Sequence, residues 1–213
     1  MYIPPSFRID DADTLSAFMN SYSFATLVTS DDGVPFGTHL PVRHFCENGE
    51  CKMLVAHMAR ANPQWKHFSE DGEVLTIFSG PHAYISPSWY QTENSVPTWN
   101  YAATHVYGYP RLLENHEQIV SMLDETVSFY EREFETPWHG TLPTELRDSL
   151  IHAIVAFEIV VTRVEGKFKL GQNRSDADIS SVAYQLSQSS NDGNREMAEF
   201  MKSAGVLAHP DSR

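Results

Sequence analysis

The sequence predicts a mainly β fold with peripheral helices, an α+β chain built around a small antiparallel barrel. Three observations carry that expectation. Short β-rich runs recur through the first half, tight-turn pairs such as Asp32-Gly33 and Asn48-Gly49 separate them, and few long helical patterns interrupt them. Closing such strands on one another removes the exposed edges they would otherwise leave.

The elements follow in order. Behind the extended Pro4-Pro5 arm, Asp10, Asp11 and Asp13 precede Leu15, Phe18 and Met19, which suits the acidic N-terminus of a short amphipathic helix. Residues 24–29 and 34–45 read as a hairpin about Asp31-Asp32-Gly33. Residues 52–58 make a third strand after the Asn48-Gly49 turn, and 73–78 a fourth, with a short helix between them. Further strands fall at 82–85 and 101–107. Asn115 with Gln118 marks a capping box, and Ile119, Met122, Leu123, Thr126, Val127 and Tyr130 form the apolar stripe of the helix behind it. Residues 151–164 are nearly continuous apolar sequence rich in β-branched side chains, which predicts a long strand buried on both faces. In the tail, Ser175 with Asp178 opens one helix and Asn194 a second, which Gly205 ends; residues 187–194 read as a mobile link. No repeat or second domain is visible, so residues 1–213 read as one domain, with 175–213 its C-terminal helical extension.

Composition narrows the function. The chain has 213 residues, 41% hydrophobic and 20% charged, and no apolar run approaches the roughly 20 residues of a membrane-spanning helix. The opening residues lack the basic and apolar regions of a secretory signal, so a soluble, cytoplasmic protein is expected. The net charge of −13 disfavours general nucleic-acid binding, which rests on cations neutralising phosphates. One segment runs against that charge: residues 163–174 carry Arg163, Lys167, Lys169 and Arg174 against the single acid Glu165. A small anion could be held there. Cys46 and Cys51 flank the Asn48-Gly49 turn closely enough for a hairpin to bring them together, and are read as reduced thiols.

The most informative stretch is Leu54-Val-Ala-His-Met-Ala-Arg-Ala-Asn-Pro-Gln-Trp65. A strand ends near Met58, Asn62 suits an N-cap and Pro63 a first helical residue, so free backbone N–H groups are expected beside Arg60. That arrangement fits a phosphate, with Arg60 adding a planar fork and His57 and His39 further donors. On local sequence alone the better-fitting reading is an arginine paired with a surface carboxylate beside an ordinary helix start. Trp89, Tyr90, Trp99 and Tyr101 could line a planar ligand's pocket or fill barrel ends and dimer contacts. His39, His57, His82 and His105 show no metal-binding spacing, and no metal is expected.

Several longer blocks resemble the PaiB family. They are Tyr2-Ile-Pro-Pro, Phe24-Ala-Thr-Leu-Val-Thr29, Thr38-His-Leu-Pro41, His57-Met-Ala-Arg-Ala-Asn-Pro-Gln-Trp65, Gly80-Pro-His-Ala-Tyr-Ile-Ser-Pro-Ser-Trp-Tyr90, Val96-Pro-Thr-Trp-Asn-Tyr101 and Glu165-Gly-Lys-Phe-Lys-Leu-Gly-Gln-Asn-Arg174. They run in family order through about residue 185. The resemblance implies a split β-barrel of the FMN-binding, pyridoxamine-phosphate-oxidase-like type, assembled as a homodimer with flavin sites at the interface. It implies Thr38, His39 and Leu40 beside the isoalloxazine ring, and His57, Met58, Ala59, Arg60 and Asn62 around the ribityl and phosphate. Trp99 and Asn100 would reach the flavin from the partner subunit, and Lys167, Lys169, Gln172 and Arg174 match the late basic motif. Gly171 stands where a serine is expected, which removes one hydroxyl contact.

These expectations support an FMN flavoprotein, acting as a small-molecule oxidoreductase in which the cofactor carries the chemistry. The family's label, a negative transcriptional regulator of sporulation and protease production, offers a second reading. The sequence has no helix-turn-helix and no basic recognition helix, so that effect is expected to be indirect. A third reading keeps the fold but exchanges the ligand, haem being one alternative.

Overall fold

The computed structural model describes residues 1–69, 71–140 and 142–207. Its strands are β1 (Arg8–Ile9), β2 (Phe24–Asp31), β3 (Val34–Pro41), β4 (Arg43–Glu47), β5 (Glu50–Ala59), β6 (Val74–Ile85), β7 (Thr98–Leu112) and β8 (Ile154–Lys169). The helices are α1 (Ala12–Ser21), α2 (His116–Glu131), α3 (Thr144–His152), α4 (Asp176–Ser187) and α5 (Asp192–Ser203). Eight strands make one sheet in the order β3-β2-β6-β7-β8-β5-β4, with β1 added against β8. No described helix is long and apolar enough to cross a membrane.

The chain gathers into two compact units, one of Met1–Phe18, Ser79–His105 and Glu165 onward, the other of Met19–Phe78 and Val106–Val164. In the second unit the two hairpins form as their turn residues dictate. Asp32 and Gly33 have φ of +48° and +82°, Asn48 and Gly49 +53° and +81°, the left-handed pairs that two-residue hairpins require. β2 turns Ala25, Leu27 and Thr29 inward, the alternation its sequence shows.

The predicted strand 34–45 is two strands. Pro41 has no N–H to continue the ladder, and Val42 turns its own N–H to the Ser23 carbonyl at 2.8 Å, so β4 starts afresh at Arg43. Cys46 and Cys51 lie opposite one another in the β4/β5 register and are not joined by a disulfide. β5 then pairs with β8 from Met53↔Val160 to Ala59↔Ile154.

The apolar run 151–164 divides differently from its prediction. Ile151 and His152 end α3, a helix not foreseen from the sequence, and β8 starts at Ile154. A run of this kind reads alike as the end of a buried helix and the start of a strand. Val155, Ala156 and Phe157 are buried in succession, as a strand covered on both sides requires, but Thr162 and Arg163 are exposed. α2 forms as predicted, with the Asn115 side chain accepting the Gln118 N–H at 3.1 Å. Its Met122 packs with Val55 and Ala156, flanked by Leu113, Ile119 and Leu123. The predicted strands 73–78 and 82–85 are one continuous β6.

In the first unit, Phe18 of α1, Phe168 of β8 and Phe200 of α5 form an aromatic cluster with ring centroids 5.0–6.0 Å apart. α4 starts as predicted, the Ser175 hydroxyl accepting the Asp178 N–H. α5 starts earlier than the Asn194 expected: Asn191 is its cap, accepting the N–H groups of both Gly193 and Asn194. The connection between the helices is correspondingly shorter than the link assigned to 187–194. Residues 208–213 of the predicted C-terminal extension lie outside the described residues.

Candidate functional site

In the second unit, β5 delivers the expected phosphate-binding stretch at its C-terminal end. Ala59 and Arg60 are exposed, His57 is partly buried, and Met58 faces the core at 2% exposure. The turn that follows is a five-residue 3-10 helix, Pro63–His67, capped by Asn62. The N–H groups expected to be free there are largely occupied. That of Arg60 donates to the Ala153 carbonyl at 2.9 Å, that of Asn62 to Ala59 at 2.9 Å, and that of Gln64 to the Asn62 side chain at 3.0 Å. A helix this short, with its donors so spent, adds little to anion binding. The expectation of a helix-terminus phosphate site is corrected on that point.

What remains is side-chain chemistry. Arg60 donates from Nε to the His152 carbonyl at 2.7 Å and from Nη2 to the Ile154 carbonyl at 2.6 Å, which holds the guanidinium against the end of α3 and the start of β8. It is paired with backbone oxygens, not with the surface carboxylate the sequence left open. An arginine carries five N–H groups, so donors remain on the fork's other edge. Asn62 works at both ends: its carbonyl caps the 3-10 turn and its Nδ2 donates to the Thr38 hydroxyl at 3.0 Å. This bond ties the middle of β3 to the residues that follow β5. Burial holds the His57 imidazole below its ordinary pKa, so it is a neutral donor or acceptor at pH 7. Thr38, His57, Arg60 and Asn62 together present the uncharged and cationic donors that a ribityl phosphate needs, and the residue types fit that group.

The three ring-side candidates divide between the faces of β3. Leu40 is buried and Thr38 partly so, while His39 points the other way, its Nδ1 paired with the Thr26 hydroxyl at 2.9 Å and its ring stacked near Phe24. Gln64 is the residue that sequence reasoning passed over. It is fully buried, and its Nε2 lies 3.0–3.2 Å from the Leu27 and Phe36 carbonyls and the Thr29 hydroxyl, so it staples both strands of the β2/β3 hairpin to the turn after β5.

The first unit holds the other candidates. Trp99 is 52% exposed and Asn100 only 3%, with Asn100 Nδ2 directed at the Met201 sulfur of α5 at 3.7 Å. Adjacent strand residues face opposite sides, so these two are not brought together. Lys169 Nζ donates to the Thr98 hydroxyl at 2.5 Å and the Trp99 carbonyl at 2.6 Å. Lys167 is buried, donating to the Tyr2 carbonyl at 3.0 Å, with its ammonium 5.0 Å from the Tyr101 ring centroid. Gln172 folds back on its own loop, bonding the Leu170 N–H and the Phe168 carbonyl. Arg174 lies over the Tyr90 ring at 4.5 Å. Gly171, at φ +93°, occupies a backbone conformation that a serine would resist.

Among the described residues no cluster of three or more His, Cys, Asp or Glu could hold a metal ion. Nor does any side chain stand out as an activated nucleophile. The side chains at the turn after β5 offer donors of the kinds that hold an anion.

Comparison with known proteins agrees with that chemistry. Residues 1–163 match a family model described as "Putative FMN-binding domain". The chain is 40% identical over 207 residues to "Protease synthase and sporulation protein PAI 2" of Bacillus subtilis, covering 95% of this chain and 97% of that protein. Among solved structures, the flavocytochrome Anf3 from Azotobacter vinelandii superposes with a TM-score of 0.60 at 16% identity, over 78% of this chain and 70% of that one. An FAD and heme binding protein from Mycobacterium smegmatis gives 0.60 at 13% identity, over 82% and 79%. The fold is the split barrel those two share, and the chain belongs to the PaiB family of FMN-binding proteins.

Proposed function

We propose that the chain is a homodimeric flavoprotein that uses FMN on a small-molecule substrate, with its effect on gene expression following indirectly from that chemistry. The observation that carries this is the Thr38–Asn62 bond beside the anchored Arg60 fork, which sets a hydroxyl, an amide and a cation at one end of β5. In this reading Arg60 takes the FMN phosphate with its remaining N–H groups. Thr38 and Leu40 border the ring, neutral His57 and the Met58-Ala59 backbone border the ribityl chain, and Trp99 of the partner subunit closes the site. Bound FMN supplies hydride and electron transfer; the protein's part is to anchor, orient and exclude water.

The dimer is supported by β3, which ends the sheet order and leaves its own Val34 (66%) and Phe36 (36%) exposed. An apolar edge of this kind is normally covered. The regulatory part of the proposal follows the name of the Bacillus subtilis relative, which refers to protease synthesis and sporulation. A net charge of −13 argues against direct contact with DNA.

The absorption spectrum of the purified chain tests the cofactor, since flavin, haem and no chromophore give different bands. Arg60→Ala should weaken FMN about tenfold or more while leaving riboflavin unchanged, the loss expected for a charge-assisted hydrogen bond. Equal loss of both ligands would remove Arg60 from the phosphate.

A further inference from the structure

One face of the sheet in the first unit is built unlike the other. His82 and Tyr84 alternate along β6, Trp99 and Tyr101 along β7, Lys167 and Lys169 along β8. Contacts join them into one surface. Trp99 lies 6.2 Å from the His82 ring and 6.0 Å from Tyr84, Lys169 bonds the Trp99 carbonyl, and Lys167 lies against Tyr101. The residues between them, Ala83, Asn100, Ala102, Phe168 and Leu170, are buried on the opposite side, where Phe168 meets Phe18 and Phe200. The helices therefore cover one face, while Tyr84 (45%) and Trp99 (52%) keep the other exposed.

The charges on this face are uncompensated. On a chain with 28 acids and 15 lysines and arginines, no described carboxylate pairs with Lys167, Lys169 or Arg174. Glu165, on the same strand, is engaged by the Met1 ammonium. The three cations rest on carbonyls, on the Thr98 and Ser95 hydroxyls and on the Tyr2, Tyr90 and Tyr101 rings. A partly buried cation with only neutral partners is costly, and an arriving anion relieves that cost. Burial, followed by the charges of Lys167 and Arg174, pushes the Lys169 ammonium below its ordinary pKa, the direction expected where like charges gather without an anion.

We propose that this face binds a planar aromatic molecule carrying a carboxylate or phosphate, its ring against Trp99 and Tyr84 and its anionic group on Lys169 and Arg174. As the second ligand of a flavoprotein this rests on the FMN reading, since it would be the molecule that exchanges electrons with the cofactor; the binding itself does not. Aromatic faces hold the ring and two cations the charge, so an aromatic acid should bind better than either half alone.

Calorimetric titration of the full chain with phenyl phosphate and with benzoate, in the presence and absence of saturating FMN, tests the proposal. Both probes should bind saturably with or without FMN, and more tightly than benzyl alcohol or inorganic phosphate. Lys169→Met and Trp99→Ala should each weaken them about tenfold, and Arg60→Ala should leave them unchanged. Equal binding of benzyl alcohol, indifference to Lys169→Met, or displacement of the probes by FMN would overturn it, the last by giving the cluster to the cofactor. Should Lys169→Met fail to fold, Arg174→Gln decides, because its contacts are a ring and one long hydroxyl bond at 3.4 Å. Probe binding without any FMN binding would sink the cofactor reading and leave this one standing.

Discussion

The turn after β5 and the open face of β6, β7 and β8 use polar side chains in opposite ways. Around the turn the side-chain donors meet protein oxygens: Arg60 two carbonyls, Asn62 the Thr38 hydroxyl, and Gln64 Nε2 three oxygens on β2 and β3, while the buried Gln64 Oε1 has no partner among the described residues. On the open face, cations lean on rings and neutral oxygens and meet no carboxylate among the described residues. At Gln64 and Asn62 the first region is held by its own bonds and should report mutation as lost stability, whereas Arg60, whose remaining N–H groups are proposed for the FMN phosphate, should report it as lost FMN affinity. The second is short of anions and should report it as lost binding.

Gln64→Ala gives that contrast its largest expected effect. It empties a fully buried site and leaves the Leu27 and Phe36 carbonyls without their shared donor, a loss of about 3 kcal/mol. Urea unfolding measures it. A loss under about 1 kcal/mol would mean water substitutes for the amide, and that the turn is not held as described.

Acid offers a second test on the same unit. His44 on β4 is buried, and desolvation, aided by the neighbouring Arg43 charge, pulls its pKa from 6.5 to about 4. The unfolded chain therefore binds a proton that the folded chain refuses. Stability from this group is complete above pH 6.5 and is lost as the pH falls toward 4, by on the order of 2 kcal/mol. Thermal melts across that range should flatten in His44→Gln relative to the parent chain. An unchanged slope would assign the acid sensitivity elsewhere.

Which of these features could be read beforehand depends on how far apart their partners lie. The Asp32-Gly33 and Asn48-Gly49 turns and the Asn115 and Ser175 caps were legible because each is settled within four residues. The break at Pro41 and the opposed directions of Trp99 and Asn100 were equally local, and a stricter use of the proline rule and the two-residue strand period would have found them. The commitment of Arg60 to carbonyls 92 and 94 residues away was beyond local reading. So was Gln64, whose acceptors lie on a hairpin 28 to 37 residues earlier. Cofactor identity came from the ordered family blocks, because donors that suit a phosphate suit many anions.

The smallest effect bears most directly on the site. If the Asn62 amide ties Thr38 to the end of β5, the two side chains should be energetically coupled, and a double-mutant cycle isolates that term from the cap Asn62 also supplies. Asn62→Ala alone removes cap and tie together and should cost about 1–2 kcal/mol. Thr38→Val alone removes only the hydroxyl and should cost less, and the pair should recover roughly 0.5–1 kcal/mol of the sum, the worth of a partly exposed neutral hydrogen bond. Run again with FMN bound, the cycle separates structure from function. A coupling that grows with the cofactor marks the bond as part of the binding surface, whereas strict additivity in both states would reduce Asn62 to a turn cap and detach Thr38 from the proposed site.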